Sequence, residues 1–124
     1  MTDLFAGLPV ADLARAARWY EALLGGPPAF YPNDVEAVFE VVEHGYVYIE
    51  VKPELAGSGF VTLFVDDLDA RLAAIADRGL RPESQETYDN GVRKTIFRDP
   101  DGNEIGLGGG PAEASDAGGP RLRG

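Results

Sequence analysis

Apolar residues along this chain follow two periods, and the order of strand period, helix period and strand period occurs twice. The short apolar run Leu4–Val10 predicts a first strand. From Leu13 to Leu24 apolar residues recur at helical spacing, which predicts an amphipathic helix. Asp12 precedes this helix as a favourable N-cap, and Gly25 follows it as a favourable stop. The chain therefore begins with a strand followed by a helix.

The next segment has the period of two that is typical of strands. Strands are predicted at 29–31, 35–42 and 46–51. One face of the last strand carries valine and isoleucine, and the other carries Tyr46, Tyr48 and Glu50. Two tyrosines and a carboxylate on one face favour a wall that faces a ligand, and a solvated sheet face is the alternative.

The second half repeats this order after a linker at 52–59. It predicts a strand at 60–65, a helix between Asp67 and Gly79, and strands at 81–88, 92–98 and 103–107. The last two strands flank the sequence Asp99-Pro100-Asp101-Gly102. This order of residues favours a type I turn, so the two strands are predicted to form a tight hairpin.

The two halves align with each other at an offset of 55 residues. Phe5 then matches Phe60, and Asp12 matches Asp67. Each half predicts one strand, one helix and three strands. We therefore predict an α+β fold of two tandem βαβββ modules, at about 3–52 and 59–108, in one domain at 1–108. Their curved mixed sheets are expected to form a cup with the helices outside, and the Gly/Pro-rich tail at 109–124 is predicted to be disordered.

Three motifs in this order resemble those of the vicinal oxygen chelate superfamily. They are Leu8 to Leu13 leading into Trp19 to Gly25, then Phe60 to Leu68, and the sequence from Arg98 to Ile105. The superfamily includes glyoxalase I, extradiol dioxygenases, fosfomycin-resistance enzymes and bleomycin-resistance binding proteins. The resemblance covers nearly all of the chain from Leu4 to Leu107 and implies a shared fold more than a shared activity.

Metal-dependent members of such a family bind a divalent ion through inward-facing side chains of each module. Carried over to this chain, the ligand positions fall on Phe5, Glu50, Phe60 and Gly106. One carboxylate among four positions is too few for a divalent metal, so we expect no metal and no other cofactor. A hard cation held by three carboxylates is the alternative, and the residues for it are Glu40, Glu50 and Glu104. His44, the single histidine, is interpreted as an exposed turn residue.

The same positions predict a ligand-binding site. We expect it to contain Phe5, Tyr46, Tyr48, Glu50, Phe60 and Gly106. Aromatic faces beside a carboxylate suit a flat or cationic organic molecule, whereas phenylalanines that simply fill the cup as core are the alternative. The first functional hypothesis is a metal-free small-molecule binding protein that forms a homodimer and resembles the bleomycin-resistance branch.

Two other functions stay open at this stage. A lyase, isomerase or dioxygenase-related enzyme would use Glu50 as a general base, the one catalytic residue that the sequence offers. A regulatory protein that dimerises through its modules is the third hypothesis. The sequence identifies neither a ligand nor a protein partner, and it does not distinguish a cup closed within one chain from one closed across a dimer.

Composition narrows the remaining classes. The formal net charge of −10 disfavours nucleic acid and anionic membranes as partners. The absence of cysteine excludes disulfides and thiol nucleophiles. The N-terminus lacks the basic and apolar regions of a signal peptide, and no apolar run is long enough to span a bilayer. We expect a cytoplasmic protein.

Overall fold

A computed structural model describes residues 1–111, and these contain eight strands and two helices in the predicted order. The first module comprises β1 (Leu4–Val10), α1 (Leu13–Leu24), β2 (Phe30–Asn33), β3 (Glu36–Val42) and β4 (Gly45–Val51). The second comprises β5 (Phe60–Phe64), α2 (Leu68–Asp77), β6 (Ser84–Thr87), β7 (Arg93–Arg98) and β8 (Glu104–Gly109). A short 3-10 turn at Pro53–Leu55 lies between them. The prediction of a disordered tail falls almost wholly on residues 112–124, which lie outside the described residues.

Each module forms a four-stranded mixed sheet with the same topology. The first sheet has the order β1-β4-β3-β2, and the second has the order β5-β8-β7-β6. The first and last strands of each module pair in parallel, and the other pairs are antiparallel. The predicted α+β tandem of βαβββ modules is therefore confirmed.

The helices and one face of each sheet enclose a single hydrophobic core. On β4 the alternation is as predicted, because Val47 and Ile49 are buried whereas Tyr46 and Tyr48 are not. The core draws on both helices and both sheets, and its members include Leu8, Val10, Ala17, Tyr20, Leu23, Phe39, Ile75, Phe97, Ile105 and Leu107. The opposite face of each sheet, called the outer face below, is free of the helices. Neither α1 nor α2 is long and apolar enough to cross a membrane.

The turn between β7 and β8 joins the two modules through buried polar groups. Its backbone closes as predicted, with the amide of Gly102 donating to the carbonyl of Asp99 over 2.9 Å. The buried carboxylate of Asp99 accepts from the hydroxyl of Tyr20 on α1, at 2.7 Å, and from the side-chain amide of Asn103, at 2.8 Å. Burial and the neighbouring Asp99 raise the pKa of the Tyr20 phenol.

Asn103 extends this network to the first strand of each module. Its side-chain nitrogen donates to the carbonyl of Pro9 at 2.7 Å, and its side-chain oxygen accepts from the amide of Gly59 at 2.7 Å. The set Tyr20, Asp99 and Asn103 is called the clasp below. It fixes the end of β1, the start of β5 and α1 relative to one another.

A second contact between the modules involves the helix ends. Gly25 and Gly79 both adopt the left-handed conformation that the sequence predicted for helix stops, with φ of 92° and 96°. The guanidinium of Arg78, at the end of α2, donates to the carbonyls of Ala22 and Leu23. Since α1 has no basic residue in its own last turn, Arg78 supplies the positive charge that stabilises this end of the helix.

Candidate ligand-binding site

The outer face of the first sheet, called the first wall, combines aromatic and acidic side chains in three rows across the strands. The register places Phe5 beside Tyr46, Gly7 beside Tyr48, and Pro9 beside Glu50. On the other side of β4, Glu40, Val38 and Glu36 continue the same three rows. The aromatic rings of the wall therefore lie towards one end, and there are carboxylates at both ends.

Three of these rings form one cluster. Phe5 stacks on Tyr46 with ring centroids 4.6 Å apart and planes 15° apart. It meets Tyr48 edge to face, with centroids 6.4 Å apart. Phe5 is 47 % exposed and does not belong to the core, so its ring offers surface to a ligand. The alternative in which Phe5 fills the interior is not what the structure shows.

The position of Tyr48 depends on the glycine beside it. A Cβ atom at Gly7 would lie 2.6 Å from Cζ of Tyr48, which is closer than real side-chain contacts allow. The tyrosine ring therefore lies flat across β1 because Gly7 has no side chain. Next to this ring is a cavity of about 250 Å³, and its lining includes Pro9, Tyr48, Glu50, Lys52 and Leu55.

The charges of the first wall are mostly negative. Glu50 is partly buried and has one cation near it, the ammonium of Lys52 at 3.7 Å. Partial desolvation, followed by the carboxylates of Glu40 and Asp3, raises the pKa of the Tyr46 phenol. The hydroxyl of Tyr46 therefore stays protonated, and the wall presents a neutral ring between carboxylates.

The outer face of the second sheet, called the second wall, carries different chemistry in the same three-row plan. Its rows are Phe60, Glu104 and Arg98; Thr62, Gly106 and Ile96; and Phe64, Gly108 and Lys94. Phe60 is 78 % exposed and Phe64 is 46 % exposed, so this wall also presents aromatic rings. It differs from the first wall in having two cations among its residues.

The two cations of the second wall differ in how fully they are paired. Arg98 donates to Glu83 at 2.8 Å and lies 3.4 Å from Glu104. These carboxylates, the hydrogen bond to Glu83 first, raise the pKa of Arg98. Within residues 1–111, the one carboxylate within 4.0 Å of the Lys94 ammonium is that of Glu104, and its 3.9 Å between nitrogen and oxygen is beyond hydrogen-bond distance.

A family model accounts for almost the whole described chain. Residues 4–107 match the family described as the Glyoxalase/Bleomycin resistance protein/Dioxygenase superfamily. The chain belongs to this superfamily. The resemblance to the vicinal oxygen chelate proteins is thereby confirmed, whereas a comparison with curated proteins gives no significant match.

Solved structures of similar proteins agree with this assignment. A glyoxalase/bleomycin resistance protein from Catenulispora acidiphila DSM 44928 is 48 % identical, with a TM-score of 0.86 over 90 % of this chain and 100 % of that one. TnmS3, an antibiotic binding protein from Streptomyces sp. CB03234, is 26 % identical, with a TM-score of 0.68 over 89 % of this chain and 95 % of that one. A bleomycin resistance determinant encoded on the transposon Tn5 has a TM-score of 0.73 at 21 % identity, over 89 % and 98 % of the two chains. The last likeness concerns the fold alone.

The structure brings four of the six predicted site residues together. Phe5, Tyr46, Tyr48 and Glu50 share the first wall. Phe60 and Gly106 lie on the second wall, in different rows. Sequence reasoning missed Lys94 and Arg98 as wall residues, whereas it named Glu104 as one of three possible cation ligands. The signal that would have found them is the period of two along β7 and β8, counted outward from the hairpin turn.

The positions that the superfamily resemblance assigns to metal ligands do not fit a divalent metal. Phe5 and Phe60 present rings and Gly106 has no side chain, so Glu50 is the single donor among the four, and it lies beside Lys52. Within residues 1–111, no three His, Asp or Glu side chains converge, and this includes the alternative set of Glu40, Glu50 and Glu104. We therefore derive no chemistry through a metal at these positions.

His44 is a turn residue as predicted. It has a φ of 65° in the turn between β3 and β4, and its side chain is 42 % exposed. Its ring nitrogen Nδ1 lies 2.8 Å from the carboxylate of Asp3. This contact ties the N-terminus to the turn and lies outside the rows of the two walls.

Proposed function

We propose that this member of the superfamily is a metal-free binding protein for a flat aromatic or cationic organic molecule, which lies against the first wall. The observation that carries the proposal is the exposed stack of Phe5 on Tyr46 beside Tyr48, Glu50 and the cavity. A ring that is already stacked and still half exposed gains a third partner at little conformational cost.

The electrostatics of the wall favour a positive charge on that molecule. Cation–π contacts contribute ~0.5–2 kcal/mol each, and a carboxylate at the edge of the rings adds a directed attraction. Glu50 supplies such a carboxylate, and Glu40 lies beside Tyr46. The net charge of −10 also raises the concentration of cations near the protein, which favours a cationic ligand as well.

We propose further that the protein acts in the cytoplasm as a homodimer. Phe30 and Val35 expose apolar side chains at and next to the edge strand β2, and an exposed sheet edge is a surface that pairs readily with another chain. The antibiotic-binding description of TnmS3 concerns that protein, and it supports the choice of a binding function here only by similarity.

A fluorescence titration tests the proposed binding. The probe is 9-aminoacridine, a flat aromatic cation, and the expected result is saturable quenching in the wild-type protein. Glu50→Gln should weaken binding about tenfold, because the carboxylate becomes a neutral amide of the same shape. The matched control is Asp77→Asn at the exposed end of α2, which makes the same change of charge away from the walls. No saturable binding, or equal weakening by both variants, would contradict the proposal.

Elemental analysis tests the metal-free state. The protein is incubated with nickel, zinc, manganese and iron salts and passed through a desalting column, beside a Glu50→Ala variant. We expect no stoichiometric metal in either protein, because the four inherited positions supply one donor. Stoichiometric metal that is lost in the variant would show that Glu50 is a ligand and would return enzyme chemistry to consideration.

A further inference from the structure

We propose that Lys94 and Thr62, on either side of Gly106, form a subsite for the carboxylate or other oxyanion of an aromatic ligand. This set of three residues is called the lysine subsite below. The inference goes beyond the proposed function, which places its ligand against the first wall, because it assigns a ligand group to the second wall. That group is an acidic substituent on an aromatic ring.

The glycine determines where the lysine lies. A Cβ atom at Gly106 would be 2.9 Å from Cε of Lys94 and 3.0 Å from the hydroxyl oxygen of Thr62. The stem of Lys94 therefore crosses β8 over the glycine and brings the end of the side chain towards Thr62 on β5. The hydroxyl of Thr62 and the ammonium of Lys94 are both hydrogen-bond donors. They approach the uncovered backbone at Gly106 from two different strands.

The ammonium of Lys94 has capacity for a further acceptor. Glu104, its neighbour at 3.9 Å, is also 3.4 Å from Arg98, so that carboxylate is shared between two cations. The Lys94 side chain is 28 % exposed, which means that its stem is largely covered while access to solvent is retained. An ammonium with three donors and one long contact is a suitable partner for an incoming oxyanion.

Aromatic rings flank the lysine subsite on the same wall. Phe64 shares the row of Lys94, and Phe60 lies one row beyond Thr62 on the same strand. Both rings are exposed by 46 % or more. An oxyanion bound at Lys94 would therefore carry its own ring into an aromatic environment, which favours an aromatic acid over inorganic phosphate or a simple aliphatic acid.

The first wall offers no equivalent position for an anion. Its one nearby cation is Lys52, which lies beside Glu50, and its remaining charges are carboxylates. The ligand class that fits the second wall is therefore a flat aromatic acid.

Calorimetric titration with a matched pair of probes tests the subsite. The probes are 2-naphthoate and the neutral 2-naphthamide, which have the same ring and nearly the same shape. We expect 2-naphthoate to bind at least about tenfold more tightly than the amide, and Lys94→Gln to abolish that difference while leaving the amide unaffected. The control is Arg18→Gln on the exposed side of α1, which removes one positive charge far from the lysine subsite.

A second variant keeps the test independent of the lysine itself. Gly106→Ala should weaken 2-naphthoate binding in the same direction, because its methyl group displaces both Lys94 and Thr62. Equal binding of acid and amide, or an acid preference that survives Lys94→Gln, overturns the lysine subsite. If 9-aminoacridine still binds in a Glu50-dependent manner, only this inference fails; if neither probe class binds, the proposed function fails with it.

Discussion

The two walls have the same strand order and the same three-row register, yet they place their glycines on opposite strands. In the first wall Gly7 lies on the opening strand, and the ring of Tyr48 from the closing strand lies across it. The second wall has two glycines on its closing strand: Lys94 crosses Gly106 towards Thr62, and the ring of Phe64 lies against Gly108. The first wall therefore fills its open space with a neutral ring, whereas the second fills it with a cation as well as a ring.

This difference shows how a duplicated module acquires asymmetric chemistry without a change of fold. Each βαβββ unit supplies an outer sheet face, and a glycine on that face leaves room for a neighbouring side chain to lie against the backbone. The choice of that side chain then sets the charge of the wall. The two walls therefore favour different chemical groups, which a symmetric pair of walls would not do.

The largest expected effect is a loss of folding stability when Asn103, the clasp residue that contacts both modules, is replaced. Asn103→Ala leaves the partly buried amide of Gly59 without its partner, and it removes one of the donors to the carbonyl of Pro9 and to the carboxylate of Asp99. Each buried polar group left unpaired costs ~1–3 kcal/mol, so we expect the free energy of unfolding to fall by about 3 kcal/mol. Chemical denaturation measures this loss.

The clasp also predicts the behaviour of the ligand probes. In Asn103→Ala, the naphthoate and aminoacridine probes should weaken together, because the variant disturbs the start of both walls. The control is Asn90→Ala, whose side chain accepts from the amide of Val92 in an exposed turn. If Asn103→Ala destabilised no more than Asn90→Ala, the clasp would not be what joins the modules.

Alkaline pH should destabilise the folded protein through Tyr20, a member of the clasp. Its pKa in the folded protein is raised above the ordinary value of 10.0 by burial first and by Asp99 second. Above pH 10 the unfolded chain loses this proton while the folded chain keeps it, so the folded state binds more protons and stability falls as pH rises. The contribution is fully present below pH 10.

Denaturation curves between pH 9 and pH 11 measure this dependence. For one group the slope reaches about 1.4 kcal/mol per pH unit above the unfolded pKa. Tyr20→Phe should be less stable at pH 8, because Asp99 loses a hydrogen bond, and should show a smaller slope above pH 10. Equal slopes in the two proteins would mean that Tyr20 does not hold its proton in the folded state.

A pair of glycine substitutions separates the two walls. Gly7→Ala should displace Tyr48 and weaken 9-aminoacridine about tenfold, with little effect on the acid preference of 2-naphthoate. Gly106→Ala should do the reverse, because it displaces Lys94 and leaves the first wall intact. Titration of both probes against both variants gives four affinities. If all four affinities fell by the same factor, the two walls would not be binding different chemical groups.

Much of the fold follows from the sequence because it depends on local patterns. The repeat at an offset of 55 residues predicts both modules, and the hairpin sequence around Gly102 predicts the pairing of β7 with β8. Gly102 adopts the positive φ, 101°, that its place in the turn requires. The strand β6 is shorter than predicted, at Ser84–Thr87, and Pro82 limits its start because proline donates no backbone hydrogen bond.

The clasp was not predicted, because its members are distant in sequence. Helical spacing places Tyr20 among apolar residues, and nothing in that pattern shows that its hydroxyl meets a carboxylate 79 residues later. The same limit applies to Lys94. Its distance to Gly106 depends on the register between two strands and on a missing side chain, and neither is visible in composition or charge.

The candidate site was predicted best where one strand carries it. Tyr46, Tyr48 and Glu50 alternate on β4, and their shared face follows from a period of two. Phe60 and Gly106 were assigned by analogy between the modules, and the observed register places them in separate rows of the second wall. Whether they contact a ligand stays a prediction, as does the role of Glu50.

The most direct test of the proposed function is a nuclear magnetic resonance titration with ¹³C-labelled tyrosine rings. The chain contains five tyrosines, of which Tyr46 and Tyr48 lie on the first wall, whereas Tyr31 and Tyr88 are exposed elsewhere and serve as internal controls. On addition of 9-aminoacridine, we expect saturable shifts at Tyr46 and Tyr48 with one affinity. Absence of shifts at these two rings, or equal shifts at Tyr31 and Tyr88, would contradict the account.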